Sequence, residues 1–458
     1  MSGPMSSEIW GCAFAIGLSF AVGVGCSRSS SSPTRRGETA SAASSPEAGP
    51  RSAPTIAPSN NNVAVKTVVE PHSLPPLELN DDVQQKFAQS HAAFTWNTFH
   101  KLSANRSDEN FVFSPISLQL ALGMIVVGAR GGGENRLARA MAPGVKPERI
   151  YEVMQSWQEQ LLRSMNTPTQ PGSERVGVLK FANSLWLDDS VQTSSAFVDK
   201  SKQYYGLGVF RLPIRGASSS ALGTINHWVS EQTDSRIVNL VKKLTDADMA
   251  VLPSAAYFKT KFVSPFGSTE SEPFASKSGN KGSVDMLHNV LRTRFVQTLT
   301  YQAVELDLLY GATSLVSVMP MAGSIESFVH GLSPAKWVQI LKDLEHKKGM
   351  IDVHWPKVDF RSHYDNLEVL LGLPPAPIAL PFISSNCQLV SLAHEATFVV
   401  NKDGIEVPSA AGTTMQSGNS SNSKDDGTLL MRFDHPFVFA VIHRLTGSIL
   451  FVGQVAAP

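Results

Sequence analysis

Apolar spacing divides the chain into three stretches. Ile9 to Gly25 is an apolar, Gly/Ala-rich run, and from Ser27 to about Asn62 large apolar residues almost vanish. From Asp82 onward, helix and strand periodicities continue to the C-terminus. Val83, Phe87 and Phe94 fall on one helical face, predicting a helix from Asp82. Ser114 is a good N-cap and Pro115 suits a first turn, so a second helix starts there. Leu118, Leu120, Ala121, Leu122, Met124 and Ile125 make it apolar nearly all round, which predicts burial. It stops at Gly128-Ala129-Arg130-Gly131, and Gly131 to Gly133 reads as a turn after the helix.

Strand-like runs follow at Leu185–Leu187, Val251–Phe258 and Leu315–Met319, and in the alternating Ile351, Val353 and Trp355. Between them, Ile225 to Val241 reads as a helix carrying Trp228, Val229, Ile237 and Leu240. Phe437–Ile442 and Ile449–Val455 flank a turn at Thr446-Gly447, predicting a hairpin buried on both faces. Strands and helices do not alternate strictly, so the class is α+β. Asn401 to Gly427 breaks the pattern with Gly404, Gly412, Gly418 and Gly427, Pro408 and a polar run from Ser417 to Asp426. It reads as a long exposed loop on a β scaffold.

The 458 residues carry 39 basic and 39 acidic side chains, which gives no support for a broad nucleic-acid-binding face. Cys12 and Cys26 lie in the leader, leaving Cys387 as the single thiol of the folded part, with no internal disulfide. His394-Glu395 lacks the second histidine of a zinc helix, and no local metal-ligand motif appears, so neither metal nor cofactor is expected. The run before Cys26 suits an export signal. Its small residues resemble a bacterial lipoprotein cleavage site, which implies lipid attachment at Cys26; the alternative is an uncleaved signal anchor. Residues 1–26 are thus expected to be a signal, 27–82 a disordered Ser/Pro/Ala-rich linker, and 83–458 the folded domain.

Five blocks then coincide in order. They are Asn110-Phe-Val-Phe-Ser-Pro-Ile-Ser117 with Ala121-Leu122-Gly-Met124, Ile225-Asn226-His-Trp228-Val229, Tyr257-Phe258-Lys259, Asp434-His-Pro-Phe437, and Gly447-Ser-Ile-Leu-Phe-Val-Gly453. Together they resemble the serpin family over nearly all of 83–458. The resemblance implies a serpin fold, with mixed β-sheets, about eight to nine helices and an exposed reactive loop near the C-terminus. That loop would be bait for a protease, which is trapped when the cleaved loop inserts as a new strand in the large sheet.

The resemblance places a hinge at Gly404, Ile405, Glu406, Val407, Pro408, Ser409, Ala410 and Ala411. Gly404, Glu406, Ala410 and Ala411 suit the family pattern; Ile405, Val407 and Pro408 depart from it. On alternating geometry Ile405, Val407, Ser409 and Ala411 point inward after insertion. Extra methylenes and the missing proline N–H together oppose insertion by about 3 kcal/mol, or roughly 100-fold in rate. The scissile region falls among Met415, Gly418, Asn419, Lys424 and Asp425. Lys424-Asp425 suits a trypsin-like protease and Met415 an elastase-like or chymotrypsin-like one, whereas Lys424 could equally be a solvated charge. A buried polar cluster that controls sheet opening, the shutter, maps to Ser114, Ser117 and His394, with Ser254 in place of the family's asparagine. Lys402 stands where the family has a glutamate.

The expected function is inhibition of serine, or of cysteine, proteases as a suicide substrate, by an exported monomer at the cell envelope or outside the cell. A non-inhibitory serpin binding a ligand or partner is the alternative, favoured by Pro408 and the polar loop. A hydrolase is excluded by the lack of a nucleophile elbow, paired metal ligands or a phosphate loop, so no enzymatic activity is expected.

Overall fold

The computed structural model describes residues 63–458, apart from 74–76, 79–80, 105, 107, 167–176, 277–278, 280, 310–312, 366–370, 372–377, 390 and 407–427. Eight helices lie among the described residues: α1 (Asp81–Ser103), α2 (Pro115–Gly128), α3 (Gly131–Met141), α4 (Pro147–Asn166), α5 (Ser195–Tyr204), α6 (Ser218–Gln232), α7 (Ile325–Gly331) and α8 (Pro334–Glu345). They surround two large sheets and a small hairpin, as an α+β serpin fold requires.

The first sheet holds β1 (Lys66–Val69), β4 (Gly208–Leu212), β3 (Val178–Asp188), β5 (Ala250–Lys261), β15 (Gly404–Ile405), β14 (Ser391–Asn401) and β11 (Val358–Tyr364), in that spatial order. The second runs β16 (Leu429–Arg432), β10 (Lys348–Pro356), β7 (Lys281–Gln297), β8 (Tyr301–Asp307), β9 (Thr313–Pro320), β17 (Phe437–His443), β18 (Ser448–Val455) and β2 (Phe111–Phe113), with β6 (Ser268–Ala275) also on β7. The hairpin pairs β12 (Ile378–Ala379) with β13 (Gln388–Leu389).

Helix α2 forms where its cap signals place it. The Ser114 hydroxyl accepts the Ser117 N–H at 3.3 Å, Pro115 occupies the first turn, and every residue of the helix is buried. The expected β17–β18 hairpin is likewise buried along both strands. The helical periodicity from Asp82 corresponds to α1, which buries Phe87 and Phe94.

Three boundaries differ from expectation. The folded domain starts upstream of 83, because Lys66–Val69 adds to the edge of the first sheet, antiparallel to β4, with Val69 buried. The short β-branched run Val63-Ala-Val-Lys-Thr-Val-Val69 within the expected linker carries that strand. Gly131 to Gly133 is more than a turn: it is the first turn of α3, entered through Gly131 at φ +59°. The helix expected to reach Val241 ends at Gln232. Asp234 and Ser235 adopt positive φ, and Thr233 Oγ1 accepts the Ile237 N–H at 3.2 Å, which turns the chain back. Ile237 and Leu240 stay buried in irregular chain, held by two 2.9 Å bonds between the Asn226 amide and the Val241 backbone.

Helix α6 lays Ile225, Trp228 and Val229 on the first sheet, against Trp186 of β3 and Phe210 of β4. Trp186 and Phe210 pack with ring centroids 4.6 Å apart, and Trp228 meets Trp186 edge-on at 6.0 Å. No helix among the described residues is long and apolar enough to cross a membrane.

Candidate functional site: hinge and shutter of the first sheet

The two central strands of the first sheet are joined at one end and wedged apart at the other. β5 and β14 run parallel and pair directly from Val251↔Ser391 to Ala256↔Ala396. Beyond that point β15 lies between them, antiparallel to both: Ile405 opposes Val400 on one side and Thr260 on the other. The first two hinge residues therefore already occupy the sheet. Ile405 is only 2% exposed, so its branched side chain is accommodated in the intact chain and not only after insertion.

Asn401 makes the turn that delivers them. Its carbonyl side-chain oxygen accepts the N–H groups of Asp403 (2.9 Å) and Gly404 (3.2 Å), an Asx-type turn. Phe262 and Phe266 donate to the carbonyls of Asp403 and Lys402 at 3.0 and 2.8 Å, pinning the turn to the end of β5. At Gly404 a Cβ would stand 2.1 Å from the Thr260 carbonyl oxygen and 2.6 Å from Lys261 Cα, so glycine alone fits. Lys402, in the place of a family glutamate, ion-pairs with neighbouring Asp403 at 3.1 Å.

Glu406 ends the inserted strand. Its φ of +47° is left-handed, which a non-glycine residue adopts at a cost of about 1 kcal/mol or more. The N–H donates to Val399 O at 2.7 Å, and the buried carboxylate accepts a hydrogen bond from Thr397 Oγ1. Arg236, in the turn after α6, places Nε 4.0 Å from the second carboxylate oxygen. Burial pushes the Glu406 carboxyl above the usual carboxylate range, against the hydrogen bond from Thr397 and the charge of Arg236. The remaining hinge residues Val407, Pro408, Ser409, Ala410 and Ala411 lie outside the described residues, as do Met415, Gly418, Asn419, Lys424, Asp425 and Cys26.

The four shutter residues do meet, where β5 and β14 pair. His394 is fully buried on β14 opposite Ser254 of β5. Its Nε2 accepts the Ser114 N–H at 3.1 Å, so the ring proton sits on Nδ1, which faces the Ser254 carbonyl and hydroxyl oxygens at 3.1 Å each. The Ser254 hydroxyl meets Ser117 Oγ at 3.1 Å. Burial pushes the His394 imidazole down to about 3, against the hydrogen bond to the Ser254 carbonyl. Tyr364 of β11 stacks on the imidazole at 6.2 Å and donates its hydroxyl to Val112 O at 2.9 Å.

One member of the cluster is absent from the expected set. Asn183 of β3 lies directly opposite Ser254. Ser117 Oγ donates to Asn183 Oδ1 and the Asn183 amide donates to Ser117 O, both at 3.0 Å. An amide is thus present in the cluster from β3, beside the Ser254 that stands where the family resemblance implies an asparagine. Its signal was an Asn-Ser pair interrupting the apolar run from Phe181 to Leu187. The cluster thus ties α2 to β3, β5 and β14 and spans the place where β5 and β14 pair directly.

The comparisons with known proteins agree with this architecture. Residues 89–458 match the family model "Serpin (serine protease inhibitor)". A serpin-like protein of Thermococcus kodakarensis is 28% identical over 374 residues, covering 80% of this chain and 84% of its own. Thyroxine-binding globulin of Bos taurus is 25% identical over 392 residues, 81% of this chain and 90% of that one. Corticosteroid-binding globulin of Ovis aries is 26% identical over 393 residues, 81% and 85%. Among solved structures, the thermophilic serpin tengpin in its native state superposes with a TM-score of 0.70 at 19% identity, covering 84% of this chain and 96% of its own. Human thyroxine-binding globulin with its hormone gives 0.71 at 23%, covering 82% and 99%. With the family model spanning most of its length, this chain belongs to the serpin family.

Proposed function

We propose that the chain is a protease inhibitor acting as a suicide substrate, with serine proteases of trypsin-like or elastase-like specificity as targets. One observation carries the reading: Gly404 and Ile405 already sit as a strand between β5 and β14. Strand growth from that nucleus needs Glu406 to leave its left-handed conformation and the β5–β14 pairing below it to part. Each new residue then gains ladder bonds on both sides, worth about 0.5–1.5 kcal/mol net per bond. Since Ile405 is seated before cleavage, the bulk opposing insertion is reduced to Val407 and Pro408.

The second reading is a serpin that carries a ligand, which the two hormone-binding globulins among the relatives and Pro408 favour. Incubation with a panel of serine proteases separates the two. A covalent complex stable in SDS, with a cleaved loop that raises the melting temperature, supports inhibition. Clean loop cleavage with an unchanged melting temperature rules it out and leaves the carrier. The leader supports export with lipid attached at Cys26; metabolic labelling with palmitate, abolished in Cys26→Ser, tests it.

A further inference from the structure

The second sheet carries a cluster that the hinge and shutter do not use. His288 of β7 and His354 of β10 are direct cross-strand partners, and their rings overlap at 4.4 Å with 33° between planes. Asp352, two residues before His354, projects from the same face. Its Oδ1 lies 2.6 Å from His288 Nε2 and 3.4 Å from His354 Nε2. One ligand atom from each of the three falls within 4.8 Å of the others. His288 and Asp352 are partly open to solvent and His354 is nearly closed off, so the cluster is reachable from one side.

The outer nitrogens are already engaged. His354 Nδ1 donates to the buried Glu272 of β6 at 2.6 Å, and Glu272 in turn accepts from the Arg432 guanidinium of β16. His288 Nδ1 faces the Ser268 hydroxyl at 3.4 Å. With its proton on Nδ1, the neutral His354 ring turns an Nε2 lone pair toward a carboxylate oxygen 3.4 Å away, acceptor against acceptor. A second ring proton or a bound cation satisfies that contact, and the convergence of three ligand atoms favours the cation. A carboxylate bonded to the far nitrogen is also the arrangement that orients a metal-ligating histidine.

We propose that His288, Asp352 and His354 bind a divalent cation of the zinc class through Nε2, Oδ1 and Nε2, with water in a fourth position and Glu272 as a positioning residue. Bonds of about 2.0–2.2 Å in a tetrahedral site put ligand atoms roughly 3.3 Å apart, so the 3.4 Å pair already fits. The 2.6 Å pair opens by less than ~1 Å when the ion replaces its hydrogen bond. Three carboxylates, Asp352, Glu272 and Glu270 (3.9 Å from His288 Nδ1), against the one Arg432 guanidinium leave the pocket receptive to positive charge. Through Glu272 and Arg432 the ion also tethers β16, the strand that follows the loop and pairs with β10.

The test uses the full chain stripped with EDTA and titrated with ZnCl2 by calorimetry, beside MgCl2. One equivalent of zinc is expected to bind at micromolar or tighter Kd, with no magnesium heat, and amide exchange at Leu429–Arg432 is expected to slow. Glu272→Gln should weaken zinc binding by about 10- to 100-fold. The double variant His288→Gln/His354→Gln should abolish the binding while circular dichroism and the melting temperature without zinc stay near wild type. Zinc binding retained in that double variant, or no saturable binding below ~100 µM in the wild type, overturns the site. If the double variant fails to fold, cobalt(II) on the wild type decides: a tetrahedral visible absorption band supports the site and its absence overturns it. Unchanged exchange at Leu429–Arg432 overturns the tether.

Discussion

Ser117 and Asn183 are bonded to one another twice, hydroxyl to amide oxygen and amide nitrogen to carbonyl, each at 3.0 Å and both buried. The pair fastens α2 to β3, while the same hydroxyl reaches Ser254 on β5. Truncating the amide leaves the Ser117 carbonyl without that donor in a site closed to water. Asn183→Ala is therefore expected to lower unfolding free energy by about 1–3 kcal/mol. In a double-mutant cycle with Ser117→Ala, followed by urea unfolding, the two losses should be clearly non-additive. Additive losses would show that the bonds are not the link between helix and sheet.

The imidazole at the centre of the shutter sets an acid limit. Its folded value of about 3 lies below the ordinary 6.5, so the neutral ring is the one that fits. The stability it contributes is present above 6.5 and falls as the pH drops toward 3, by about 1.4 kcal/mol per pH unit for the one proton taken up. Burial also lowers His91 and His443, each to about 4, which adds to the slope over the upper part of that window. His394→Gln, whose amide oxygen still accepts from Ser114, should unfold with a shallower pH slope between pH 6 and 4. An unchanged slope would remove His394 from the account.

Most of the scaffold was legible because local chemistry and burial agree in it. Ser114 and Pro115 announce α2, and the apolar runs at 437–442 and 449–455 announce the closing hairpin. The shutter was legible only in part: Ser114 and Ser117 stand in a block with a recognisable pattern and the family resemblance implies His394, whereas Asn183 acquires its role from a β3–β5 register that no local spacing encodes. The seated hinge was hidden for the same reason. Ile405 reads as bulk in a loop, and its place between Val400 and Thr260 depends on contacts far apart in the chain. The helix expected to reach Val241 reads too long because Ile237 and Leu240 keep a helical spacing from Val229 although Asp234 and Ser235 turn the backbone away.

Gly404 is the point at which the hinge can be unseated by one carbon. A methyl group there meets the Thr260 carbonyl and Lys261 Cα, both backbone, and the neighbours cannot rotate aside. Gly404→Ala is expected to drive β15 out from between β5 and β14 at a cost of about 1–3 kcal/mol. The hinge should then be cut by a broad-specificity protease roughly 10- to 100-fold faster than in the wild type, tracking the population of the open form. Equal cutting rates would mean that the hinge does not rest in the sheet in solution.

Glu406 gives the seated hinge a pH dependence of opposite sign to that of His394. Burial raises its carboxyl above the usual range, so the protonated form fits its site beside Thr397 better than the ionised one. The stability this group lends to the seated hinge is complete below the pKa of the freely solvated carboxyl and is lost as pH rises through the higher, seated value. The hinge should accordingly be held more firmly near pH 4.5 than at pH 7.5. Glu406→Gln keeps an acceptor for Thr397 and removes the charge, so it should hold the hinge equally well at both pH values. Amide exchange at Glu406, whose N–H bonds Val399 O, reports this locally once intrinsic rates are divided out. Protection that falls with pH in the wild type but not in the glutamine variant is the expected result. The same fall in both would assign the effect to another group.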